Sequence, residues 1–121
     1  ELDSTALTRL CLSDNPLKKF NLVSCNRLQF LELCSCQLTK IELSHLKSLT
    51  QLNLSRNELE AVEILDCPVL SDLNLANNQI TQLNLSHLKL ERLTLTDNKI
   101  QFLGNLRSQK NLKQLNLRGN P

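Results

Sequence analysis

LTQLNLSRN, residues 49–57, carries leucine at its first, fourth and sixth places and asparagine at its ninth. Read as an extended chain, Leu52 and Leu54 fall on one side and Gln51, Asn53 and Ser55 on the other, because successive strand side chains point to opposite faces. The same frame returns as LTRLCLSDN from Leu7, LQFLELCSC from Leu28, LSDLNLANN from Leu70, LERLTLTDN from Leu90 and LKQLNLRGN from Leu112, at intervals of 21, 21, 21, 20 and 22 residues. A period of about 20 to 29 residues in this leucine pattern marks a solenoid with one small unit per turn. No unit buries its apolar side alone, so the turns must stack. Strands stacked about 4.8 Å apart form a parallel sheet with the leucines inward and the residues between them outward.

The ninth place answers a different need. The chain turns sharply there, and its backbone amides and carbonyls leave the ladder. A buried asparagine both donates and accepts, so it satisfies groups that are costly to orphan. Asn15, Asn57, Asn78, Asn98 and Asn120 take this place, and Cys36 replaces asparagine in the second unit. A thiol is the weaker donor, so that turn is expected to be less firmly held.

The second half of each unit repeats the rhythm. LKKFNLVSC, LTKIELSHL, LEAVEILDC and ITQLNLSHL are apolar at places one, four, six and nine. Alternation at period two predicts extended or second-strand segments there rather than helices. The fifth unit, IQFLGNLRS, departs by placing Asn105 where the pattern asks for leucine, with Gly104 before it, and a turn or short irregular helix is expected.

LxxLxLxxN repeated in this way over nearly the whole chain resembles the leucine-rich repeat family, and the nested half-units are similar to its short 21-residue class. The resemblance implies a leucine-rich repeat solenoid, a horseshoe or right-handed superhelix. Its parallel β-sheet would line the concave side, with mostly extended or short irregular segments and little helix on the convex side. It also implies a binding scaffold, although fold and function are separate arguments.

A length of 121 residues suits one domain, residues 1–121, and its 31 leucines suffice for a continuous apolar spine. With three Phe and neither Trp nor Tyr, that spine is built of near-identical layers. A formal charge of +2 gives no electrostatic reason to expect nucleic acid or an anionic membrane as partner. ELDSTALTRL has neither the basic head nor the apolar middle of a signal peptide. The first residues read as the tail of a preceding repeat and LRGNP as a sixth unit cut short, so the chain is expected to be a piece of a longer array or multidomain protein.

Chemistry-bearing motifs are absent from the sequence. Two glycines, Gly104 and Gly119, make no phosphate cradle, and there is no GxSxG, HExxH or CxxC. His45 and His87 stand two turns apart, about 10 Å by strand spacing, too far to share a metal. Glu32, Asp72 and Asp97 fall on different turns and columns. The expectation is a non-enzyme without metal or cofactor. Cys25, Cys36 and Cys67 are core by pattern, and Cys11 and Cys34 reach the open face in different columns. Such scattered thiols suggest a reducing, cytoplasmic setting. Two sequons, Asn53-Leu54-Ser55 and Asn84-Leu85-Ser86, point the other way, but LNLS is also ordinary filling for the repeat.

The open columns then read Arg9, Phe30, Gln51, Asp72, Arg92, Gln114 and Cys11, Glu32, Asn53, Asn74, Thr94, Asn116. A face of mixed charge suits another protein. The expected contact residues are Phe30, Arg56, Asp72, Arg92, Glu32 and Arg9, with Phe30 as anchor because aromatic and arginine residues dominate binding hot spots. Two alternatives stay open: an extracellular or bacterial surface recognition array, and a regulatory leucine-rich repeat module of a multidomain kinase or GTPase.

Overall fold

A computed structural model describes residues 2–102 and 106–121. The leucine frame becomes a six-stranded parallel sheet of β2 (Arg9–Cys11), β4 (Phe30–Glu32), β6 (Gln51–Asn53), β8 (Asp72–Asn74), β9 (Arg92–Thr94) and β10 (Gln114–Asn116), ordered β10-β9-β8-β6-β4-β2. Each strand pairs with its counterpart one repeat away. One row aligns Leu10, Leu31, Leu52, Leu73, Leu93 and Leu115. Its central leucines, Leu31 to Leu93, are at most 2% exposed, and the fourth-place row stacks beside the buried sixth-place row of Leu33, Leu54, Leu75 and Leu95. At about 25 cal/mol per Å² of apolar surface, a leucine in such a row contributes roughly 2 kcal/mol, and only stacking supplies the burial.

The second side is extended but less regular. β1 (Leu2–Asp3) pairs with β3 (Leu22–Val23), and β5 (Glu42–Ser44) with β7 (Glu63–Leu65), as two separate parallel ladders. The chain is therefore a parallel β-solenoid with almost no helix. The expected extended form of LKKFNLVSC, LTKIELSHL and LEAVEILDC holds. ITQLNLSHL departs, because Leu83 and Leu85 are buried while the segment forms no strand. The interval of 20 residues leaves that unit one residue short.

Gln109 repairs the shortfall, a role the leucine frame gave no reason to expect. It is 7% exposed, donates from Nε2 to the Leu85 carbonyl at 2.6 Å, and accepts from the Leu90 amide at Oε1, 3.1 Å. The Leu112 amide bonds the Gln109 carbonyl as Leu28, Leu49 and Leu70 bond Cys25, Leu46 and Cys67, so Gln109 fills their place with a polar side chain. Gly104 and Asn105 lie outside the described residues.

The ninth-place asparagines form a ladder between turns. Nδ2 of Asn57 donates to the carbonyls of Leu33 in the preceding turn and of Leu54 and Ser55 in its own, at 2.8, 2.9 and 3.2 Å. Its Oδ1 accepts from the Cys36 and Leu38 amides, both at 3.0 Å. Asn78, Asn98 and Asn120 repeat the scheme towards Leu59, Ile80 and Ile100. Cys36 keeps the donor half, since its Sγ lies 3.3 Å from the carbonyls of Leu12 and Cys34. What it lacks is the acceptor. The Leu17 amide, which an asparagine at 36 would receive, bonds the Asn15 carbonyl at 2.8 Å within its own turn.

One place earlier, Asp14, Ser35, Arg56, Asn77 and Asp97 hold φ between 54° and 64°, and Gly119 holds 76°. This left-handed bend is mildly unfavourable for residues other than glycine and is eased by short polar side chains. It persists because each amide is tied to the next turn: Asp14 to Cys34, Ser35 to Ser55, Arg56 to Ala76, Asn77 to Thr96 and Asp97 to Arg118, at 2.7 to 3.2 Å.

Two substitutions test the ladder by chemical denaturation. Asn57→Ala strands backbone groups of two turns and is expected to cost about 3 kcal/mol, whereas Cys36→Asn supplies the missing acceptor and should add roughly 1 kcal/mol. An unchanged midpoint for the first, with a lowered one for the second, contradicts the account.

Candidate partner-binding surface

The in-register pairing brings the outward columns together as the sequence predicts. Arg9, Phe30, Gln51, Asp72, Arg92 and Gln114 run across the strands in one line, with Cys11, Glu32, Asn53, Asn74, Thr94 and Asn116 beside them. Five of the six expected contact residues, Arg9, Phe30, Glu32, Asp72 and Arg92, therefore share one sheet face. The sixth, Arg56, stands at the rim on its left-handed turn, exposed, and among the described residues no carboxylate pairs with it.

Several of these side chains are already engaged. The Arg9 guanidinium lies 4.5 Å from the centre of the Phe30 ring and covers one face of it. Arg92 Nη1 sits 3.5 Å from Asp72 Oδ2, a half-exposed pair worth little in water but fixing both heads. Ser13 donates to Glu32 Oε1 at 3.1 Å and takes the Cys34 amide at 3.0 Å. Between Phe30 and Asp72 the face sinks into a depression of about 210 Å³, lined also by Gln51, Leu52, Asn53 and Asn74.

The asparagines that end three of the strands do a job that column reading missed. Oδ1 of Asn53 accepts from the Ser55 amide at 3.1 Å, Asn74 from Ala76 at 3.0 Å and Asn116 from Arg118 at 3.1 Å. Asparagine bonding to backbone two residues on is a common turn device, so the signal was present in the asparagines that end β6, β8 and β10. Of the two sequon asparagines, Asn53 is half-buried on this face and Asn84 is exposed on the second side, its Oδ1 taking the Ser86 hydroxyl at 2.8 Å.

His45 has a partner one turn away. Its Nδ1 lies 2.6 Å from Asp66 Oδ2, and Lys47 Nζ lies 2.6 Å from Asp66 Oδ1. The hydrogen bonds from Lys47 and His45 hold the Asp66 carboxyl below its usual range. His45 remains 77% exposed in its side chain. Among the described residues no group of three or more His, Cys, Asp or Glu is placed to hold a metal ion, and no helix is long and apolar enough to cross a membrane.

All five cysteines are described, and none forms a disulfide. Burial pushes the thiols of Cys36 and Cys67 up from their ordinary value, which suppresses the reactive thiolate. Thiol labelling of the native chain should therefore modify Cys11 first and Cys34 next, leaving Cys25, Cys36 and Cys67 until denaturant is added; rapid native labelling of Cys36 would contradict the packing. In comparisons with known proteins, no family model matches this chain and no curated protein matches it.

Proposed function

We propose that this chain is a leucine-rich repeat module of the short, 21-residue class whose concave face, the open face of the six-stranded sheet, recognises another protein without catalysing a reaction. The observation that carries the reading is the separation of roles by strand alternation. Leu31, Leu52, Leu73 and Leu93 hold the stack, while Phe30, Gln51, Asp72 and Arg92 lie one residue away on the outer side and can vary without disturbing it. The mixed charges of Arg9, Glu32, Asp72 and Arg92, with a half-exposed aromatic ring among them, are the ingredients of a protein contact rather than of a nucleic-acid or membrane surface. Thiols distributed through the core agree with a cytoplasmic location, which belongs to the same proposal.

The test compares two triple substitutions in capture of a partner from cell extract. Phe30, Arg56 and Arg92 changed together to Ala should leave the denaturation midpoint nearly unchanged and weaken capture, with about 1 to 2 kcal/mol lost for each true anchor. Lys18, Glu42 and Thr81 changed to Ala on the other side should leave capture intact. Loss of capture from the second set alone would move the recognition surface to the opposite side.

A further inference from the structure

We infer that the depression between Phe30 and Asp72 takes a main-chain carbonyl of the partner, held between the side-chain amides of Asn53 and Asn74. This rests on the reading of the open sheet face as the recognition surface, and it names what that surface grips.

The two asparagines are neighbours in register on β6 and β8. Each turns its oxygen back to an amide two residues on, Asn53 to Ser55 and Asn74 to Ala76, at 3.1 and 3.0 Å. With both oxygens pinned in the same way, the side chains share one conformation, and their NH₂ groups repeat at the strand spacing of about 4.8 Å. Among the described residues neither NH₂ group has an acceptor. Both side chains line the hollow, and two donors that far apart can both reach one oxygen at about 2.9 Å. A carbonyl oxygen has two lone pairs to receive them.

The charges around the hollow select the kind of acceptor. Arg92 is bound to Asp72 at 3.5 Å, Arg9 covers Phe30 at 4.5 Å, and Glu32 takes the Ser13 hydroxyl at 3.1 Å. Arginines and carboxylates on this rim therefore balance. A partner carboxylate would meet Glu32 and Asp72, and a partner cation would meet Arg9 and Arg92. A peptide group, uncharged but strongly polar, meets neither penalty. The Phe30 face turned away from Arg9 then receives the adjoining apolar side chain, and Asp72 Oδ1, the oxygen not engaged by Arg92, lies ready for the peptide N–H. Asn116 is pinned alike, but Thr94 separates it from Asn74, so it offers a single donor and no bracket.

Aspartate keeps the oxygen that receives the Ser55 or Ala76 amide but puts a charged carboxylate oxygen where the NH₂ group was, so Asn53→Thr and Asn74→Thr, neutral and patterned on Thr94 of the same column, are measured beside the aspartate variants and are expected to lose affinity alike. ¹⁵N-labelled chain is titrated with N-acetyl-Gly-Leu-Gly methylamide and with its Glu and Arg analogues while the side-chain amide signals of Asn53 and Asn74 are followed by NMR. The neutral peptide is expected to shift both signals saturably. Asn53→Asp and Asn74→Asp should each weaken its apparent affinity roughly three- to tenfold at an unchanged denaturation midpoint. Shifts given by the Glu peptide alone, or by the Arg peptide alone, overturn the carbonyl assignment, as does the absence of any shift at these two side chains. Shifts confined to Arg56 and Arg118 end the inference and keep the open face as the recognition surface. Shifts confined to Glu63 and Leu65 on the second side end both.

Discussion

The structure depends on the satisfaction of backbone groups where the chain leaves each strand. A solenoid that turns after only three paired residues exposes amides and carbonyls to its own interior at every corner, where an orphaned group costs on the order of 1 to 3 kcal/mol. The carboxamides of Asn57, Asn78 and Asn98 meet that cost by donating to carbonyls of their own and the preceding turn and accepting from an amide of the preceding one, at 4 to 7% exposure. Leucine burial supplies the driving force. Where neither an asparagine nor a substitute for it stands, however, the corner between turns would be wet or unpaired, which sets a cost against that burial.

The same demand explains how the irregular places differ from one another. At Cys36 only the acceptor is missing, and the neighbouring turn closes on itself through Leu17 and Asn15 without disturbing the sheet. In the shortened unit ending near Leu88 the second-side register is lost, and a longer side chain is needed to bridge the gap. Glutamine is one methylene longer than asparagine and carries the same donor and acceptor, which is why Gln109 can join the Leu85 carbonyl to the Leu90 amide. Polar burial here follows the geometry of the chain and does not signal a reactive site.

The sheet, its register and the inward leucine rows were legible from LTQLNLSRN and its copies, because period-two alternation and a fixed repeat length leave one way to stack them. The ladder role of Asn57 was legible for the same reason. The loss of a strand in ITQLNLSHL was not, since its apolar places match those of its neighbours and the missing residue lies beyond it. Neither Gln109 nor the contact of His45 with Asp66 had a local signal; both arise when a 21-residue period brings distant residues to the same height. On the open face the columns were read correctly, but what each residue was already doing was not. Arg9 covering Phe30 and Asp72 holding Arg92 become visible only once neighbouring turns are side by side.

Contacts between turns also shape how such a face would act in the recognition proposed for it. A repeat whose outer residues were all free would present many flexible side chains, each losing rotamer entropy when a partner docks. Here the contacts between turns fix much of that surface beforehand. Arg9 is laid on a ring, Arg92 is set against a carboxylate, and Asn53 and Asn74 are turned by their own backbone. The arrangement costs little stability, because these contacts are half-exposed and individually weak. Among the described residues it leaves without a protein partner one oxygen of Asp72 and the NH₂ groups of Asn53 and Asn74. Arg56, exposed at the rim on its left-handed turn and without a carboxylate partner among the described residues, is the counterexample, since no contact between turns sets the direction of its charge.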